Sequence, residues 1–127
     1  MAWLDKELII ESKTGMPNII ARELADDIAA RIKAKEMPIG HLKFWINGTD
    51  KLSFTTAGTQ DAPDTQEPDA MSVSMLINAR VETEPEDLGE IVCDAISNLS
   101  AGNEVQVIIK HAALFKPGYP VPVQRIA

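Results

Sequence analysis

The chain has few of the residues that usually announce chemistry. Among 127 residues there is one cysteine, two histidines and one tyrosine, and aromatic residues make up only 5%. A single cysteine, Cys93, excludes an internal disulfide framework and any cysteine-pair metal motif. No Gly-x-x-x-x-Gly-Lys-Ser/Thr and no Gly-x-Gly-x-x-Gly occurs, so the familiar backbone cradles for nucleotide phosphates are missing. No run approaches the roughly 18 apolar residues of a membrane-spanning helix, and Met1–Lys6 lacks the apolar core of a signal peptide. Basic residues are outnumbered 12 to 19, giving a net charge of −7. That balance disfavours nucleic acid and anionic membrane surfaces, which both need clustered Lys and Arg. The expectations are a cytoplasmic location, no cofactor, and neither nucleic acid nor membrane as a partner.

What is present is an ordinary globular composition, 45% apolar and 24% charged, long enough for one domain with a true core. Leu8–Ile10 mark a first strand within Glu7–Lys13. After Gly15 and Pro17, with Thr14 or Asn18 as cap, Ile20, Leu24, Ile28 and Ile32 recur every four residues and predict a helix to about Lys35. His41–Asn47 alternates, Leu42, Phe44 and Ile46 against His41, Lys43 and Trp45. Asn47-Gly48 then signals a hairpin into Lys51–Thr56. Residues 57–70 hold four acids, two prolines and no base, and predict a mobile loop.

Ser72–Glu82 alternates again. Thr83 and Glu86 have capping-box spacing, and Leu88, Ile91, Val92, Ala95, Ile96 and Leu99 give the clearest helical stripe, closed by Gly102. Glu104–Ala113 predicts a last strand with Val105, Val107, Ile109 and His111 inward. The order β-α-β-β-β-α-β predicts an α+β fold: a ferredoxin-like two-layer sandwich with two helices on one face of a mostly antiparallel sheet. The three prolines of 117–122 exclude a central strand and predict an extended tail over 115–127.

Catalytic residues do not stand out, and none is assigned. Cys93 falls at the edge of the second helix's apolar stripe, where a small packing residue is expected. His41 and His111 are the candidate metal ligands, but strand parity puts them on opposite faces, and zinc needs three or four ligands around one point. Their plain roles are a strand-start surface residue and a rim-of-core residue. The outward face is predicted to gather His41, Lys43, Trp45, Ser53, Thr55, Asn78, Arg80, Gln106, Ile108 and Lys110. It reads as a positive surface with an exposed indole, a composition suited to protein interaction or simply solvated, with Trp45 against the tail.

Several short motifs resemble the C-terminal part of CobW-type GTPases. They are His41-Leu42-Lys43 opening a strand, an acid-Pro-Glu-Asp-Leu helix start after Leu76–Arg80, and a closing Phe115-Lys116-Pro117-Gly118-Tyr119-Pro120-Val121-Pro122 with Arg125. The resemblance runs from about Ile19 to Arg125. The GTPase domain of that family, with its phosphate loop and cysteine-rich metal motif, has no counterpart here. The resemblance therefore implies a stand-alone accessory domain that docks on a GTPase, a corrinoid protein or metalloprotein, or a second copy of itself. Phe115, Tyr119 and Arg125 join the sheet face as its expected contact residues. The competing expectation is a metal- or small-molecule-handling protein of cobalamin metabolism.

Overall fold

The structure is a computed structural model and describes residues 1–47, 50–56, 59–61, 71–101 and 104–116. Its elements in chain order are β1 (Ala2–Ser12), α1 (Pro17–Ala34), β2 (Ile39–Ile46), β3 (Asp50–Phe54), β4 (Thr59–Asp61), β5 (Ser72–Val81), α2 (Pro85–Ser100) and β6 (Val105–Phe115). The fold is α+β. The strands form one antiparallel sheet in the order β4-β3-β2-β5-β1-β6. Helix α1 contacts β1, β2 and β5, α2 contacts β1 and β6, and the helices touch each other.

Strand parity builds the core. Ala2, Leu4, Leu8 and Ile10 of β1, Leu42, Phe44 and Ile46 of β2, and Val73, Met75, Ile77, Ala79 and Val81 of β5 are all buried on the helix side. Leu24, Ile28 and Ile32 of α1 and Leu88, Ile91 and Val92 of α2 close over them. Phe44 and Phe54 meet edge to face at 5.6 Å between ring centroids.

The turns depart from the sequence expectations in instructive ways. Neither Thr14 nor Asn18 caps α1. The cap position is Met16, whose φ of 59° is left-handed, and Pro17 supplies the first helical residue. The preceding turn is tied by the Ser12 hydroxyl, which donates to the Gly15 carbonyl at 2.9 Å and accepts the Thr14 N–H at 3.3 Å. At the other end, the Met37 N–H donates to the Ile32 carbonyl and the Glu36 N–H to that of Lys33, with Glu36 at φ 56°. This is a Schellman closure with glutamate where glycine fits best. The capping box at Thr83 does not form either. Pro85 occupies the first helical position and holds Glu84 extended (φ −84°, ψ 149°), so the cap moves one residue beyond Thr83. Glu86 and Asp87 still face the positive end of α2.

Three strand expectations also change. β1 begins at Ala2, five residues before the predicted start, and β6 runs on through Phe115, which was expected in the tail. A sixth strand, β4, forms inside the acidic segment predicted to be a loop and pairs with β3. Residues 62–70, Gly102 and the tail beyond Lys116 lie outside the described residues. Asn47 has the positive φ (54°) that its hairpin role predicts.

Two outcomes are expected by denaturant titration. Replacing Glu36 by Gly relieves the left-handed backbone and stabilises the protein by about 1 kcal/mol. Phe44→Ala, at a fully buried position, costs about 3–5 kcal/mol.

Candidate functional site

The sheet's other face carries the candidate site, and the register aligns it in rows. His41 of β2, Arg80 of β5, Trp3 of β1 and Phe115 of β6 are lateral neighbours. Lys43, Asn78, Asp5 and Ala113 form the next row, and Trp45, Leu76, Glu7 and His111 the third. Lys51 and Ser53 of β3 extend the last two rows beyond Trp45 and Lys43. Among the described residues no helix lies over this face, and Leu76 and Ile108 are 41% and 38% exposed on it.

The first two rows are internally connected. The Arg80 guanidinium stands 4.0 Å from the Trp3 ring centroid, and Trp3 meets the Phe115 ring at 5.5 Å, tilted by 54°. The Asn78 amide donates a hydrogen bond to the Asp5 carboxylate. His41 Nε2 is buried without a hydrogen-bond partner among the described residues. Burial lowers the pKa of His41, and the neighbouring charges of Lys43 and Arg80 lower it further. A side-chain hydrogen bond that the imidazole donates to Asn78 and the charge of Asp5 act the other way without cancelling the shift.

The structure brings together His41, Lys43, Trp45, Ser53, Asn78, Arg80, Gln106, Ile108 and Phe115 on this face. It corrects four expectations about them. First, His111 faces outward. β6 carries a bulge: Glu7 pairs with His111 and Leu8 with Ile109, leaving Lys110 as the extra residue. Parity on β6 flips there, so the two histidines share a face. They still have β5 and β1 between them, three strand spacings or roughly 14 Å across the sheet, and they lie two rows apart along it. One ion with ligand distances near 2 Å does not bridge that gap, and no cluster of three or more potential metal ligands exists among the described residues.

Second, Lys110 sits in the bulge, outside the aligned rows. Third, the face is not positive. Strand β1 contributes Asp5, Glu7 and Glu11, which offset Lys43, Lys51 and Arg80. Fourth, Trp45 is half-buried instead of fully presented. Tyr119 and Arg125 lie outside the described residues. Trp3 was missed altogether. Its signal was the alternation Ala2, Leu4 before it and after it, masked by Lys6 at the next inward position.

No family model matches the chain, and no curated protein matches it. Among solved structures it is similar to the crystal structure of a hydantoinase/carbamoylase family amidase from Burkholderia ambifaria, at 14% identity and a TM-score of 0.47. The likeness covers 92% of this chain and 30% of that one, so the chain spans less than a third of its length. No helix among the described residues is long and apolar enough to cross a membrane.

The lowered pKa of His41 has a signed consequence. Folding weakens its proton affinity, so the unfolded chain takes up more protons below the ordinary value of 6.5. The associated stability is present above that value and lost as pH falls through the folded pKa. Urea titrations from pH 7.5 to 5 should show a steeper acid-side loss for wild type than for His41→Gln. Equal slopes would remove His41 as the cause.

Proposed function

We propose that this chain is a non-catalytic interaction domain that binds a protein partner through the open sheet face, with the residues around Phe115 at one edge. The observation that carries the reading is the row His41–Arg80–Trp3–Phe115. A tryptophan, a phenylalanine and an arginine are laterally packed on a face that no described helix covers, beside the half-buried Trp45 and the exposed Leu76. Aromatic residues and arginine dominate binding energy at protein interfaces. Their mutual stacking also limits the side-chain entropy lost on association.

Three expectations are retained in this proposal. The architecture is a ferredoxin-like two-layer sandwich: setting aside the β3–β4 extension, the order β2-β5-β1-β6 supports it. The role is that of an accessory domain of the CobW type, supported by the motif resemblance, with a GTPase, a corrinoid protein or a metalloprotein as the class of partner. The location is the cytoplasm. The balanced charge of the face favours a partner surface of mixed polarity over a strongly acidic one.

The test compares wild type with the Trp45→Ala/Arg80→Glu double variant as baits in native lysate, with melting temperature as the folding control. A partner retained by wild type should be weakened by about 30-fold or more by the double substitution, the loss typical of two central contact residues. Identical captured sets would overturn the reading. A dimer in light scattering that the same substitutions dissolve would make a second copy of the chain the partner.

A further inference from the structure

The inward face of β1 contains an anomaly. Ala2, Leu4, Leu8, Ile10 and Ser12 are buried by parity, and so is Lys6, which is only 7% exposed. A lysine side chain so far withdrawn from water favours a counter-charge close to its ammonium. Among the described residues the one polar partner of Lys6 Nζ is the Cys93 sulfur, at 3.9 Å. A thiol is a weak acceptor, and at that distance it replaces little of the lost hydration.

The surroundings of Lys6 are open and apolar. A cavity of about 360 Å³ lies between α2 and the β1–β6 pair, lined by Leu4, Lys6, Gly89, Cys93, Ala112, Ala113 and Leu114. Gly89 and Cys93 stand one helical turn apart and so share the side of α2 that faces β6. A Cβ on Gly89 would come within 3.0 Å of a Leu114 methyl, so the bare glycine lets helix and strand approach closely at this wall. Cys93 is exposed at the mouth, against the expectation of a packing residue. The volume falls within the usual range of small-ligand sites. The polar groups of this wall are an ammonium and a thiol; the remainder is aliphatic.

We propose that this cavity is a binding site for a small amphipathic carboxylate, with the carboxylate on Lys6 Nζ and an aliphatic body against Leu4, Ala112 and Leu114. Charge complementarity selects the anion: a carboxylate supplies the counter-charge that the thiol does not. The aliphatic lining selects the body, and the limited volume selects a free small molecule over a folded partner. The site lies on the helix side of the sheet, so it stands independently of the protein-binding face.

Decanoate is a suitable probe, with decanol as its uncharged analogue, measured by calorimetry on wild type and Lys6→Met. Methionine keeps an unbranched chain of similar length without the charge, and melting temperature reports whether the variant folds. Wild type should bind decanoate at least about 30-fold more tightly than decanol, the loss expected when one member of a buried charge pair is removed. In Lys6→Met that preference should vanish. Decanoate should also slow iodoacetamide alkylation of Cys93 in wild type and leave it unchanged in Lys6→Met. The proposal is overturned if decanoate does not bind, if it binds both proteins equally, or if binding leaves Cys93 alkylation unaltered. A Cys93 already protected before decanoate is added would also overturn it, because the cavity would then be filled by another part of the protein. If Lys6→Met does not fold, the wild-type contrast between decanoate and decanol, together with Cys93 protection, still decides.

Discussion

Everything in this molecule hangs on β1 being hydrogen-bonded along both edges. Residues 2–11 pair with β5 and residues 3–12 with β6. A strand so enclosed has its backbone polar groups satisfied within the sheet, and its side chains are forced to alternate strictly. The even positions define the floor of the core, and the odd positions define the middle of the outer face. Both candidate sites are the two sides of this one strand. Trp3 and Asp5 organise the outer rows, while Lys6 opens the cavity under α2. A change of register by one residue would exchange them.

Much of this was legible in sequence, and the failures have physical causes. The four-residue recurrence of Leu24, Ile28 and Ile32 and the stripe Leu88–Ile96 located both helices because each buries one face against the sheet. Strands β2 and β5 were legible because their alternation is uninterrupted. β1 was cut short because Lys6 breaks the apolar series at an inward position, although its stem is buried like a leucine. The bulge at Lys110 was invisible. Val105–Phe115 is apolar at both parities, so hydrophobic pattern cannot locate an inserted residue, and His111, just beyond it, falls on the face opposite to the one parity predicts. The cap of α2 was misplaced because Pro85 constrains the backbone more strongly than the Thr83 hydroxyl attracts it.

The charge of the outer face shows how a missed strand changes an electrostatic reading. Without β1, Lys43, Arg80 and Lys110 appear as an uncompensated positive patch. With β1 in place, Asp5 and Glu7 stand laterally beside those same rows, and Asn78 is held to Asp5. The face becomes a pattern of alternating charge around an aromatic and aliphatic centre. Such a pattern favours recognition by complementarity in detail over general attraction.

The position of β1 also orders events during synthesis. Of the described strands β1 is made earliest, yet one of its two partners is β6, about a hundred residues later. Until residues 105–115 have left the ribosome, one full edge of an apolar strand stays unpaired, and the loop that must close on it is the longest the domain contains. Pairing over so long a sequence separation is the kind that slows folding, because the entropy of closing the loop comes before the contacts that offset it. The nascent chain is exposed to strand-to-strand aggregation until its last strand arrives.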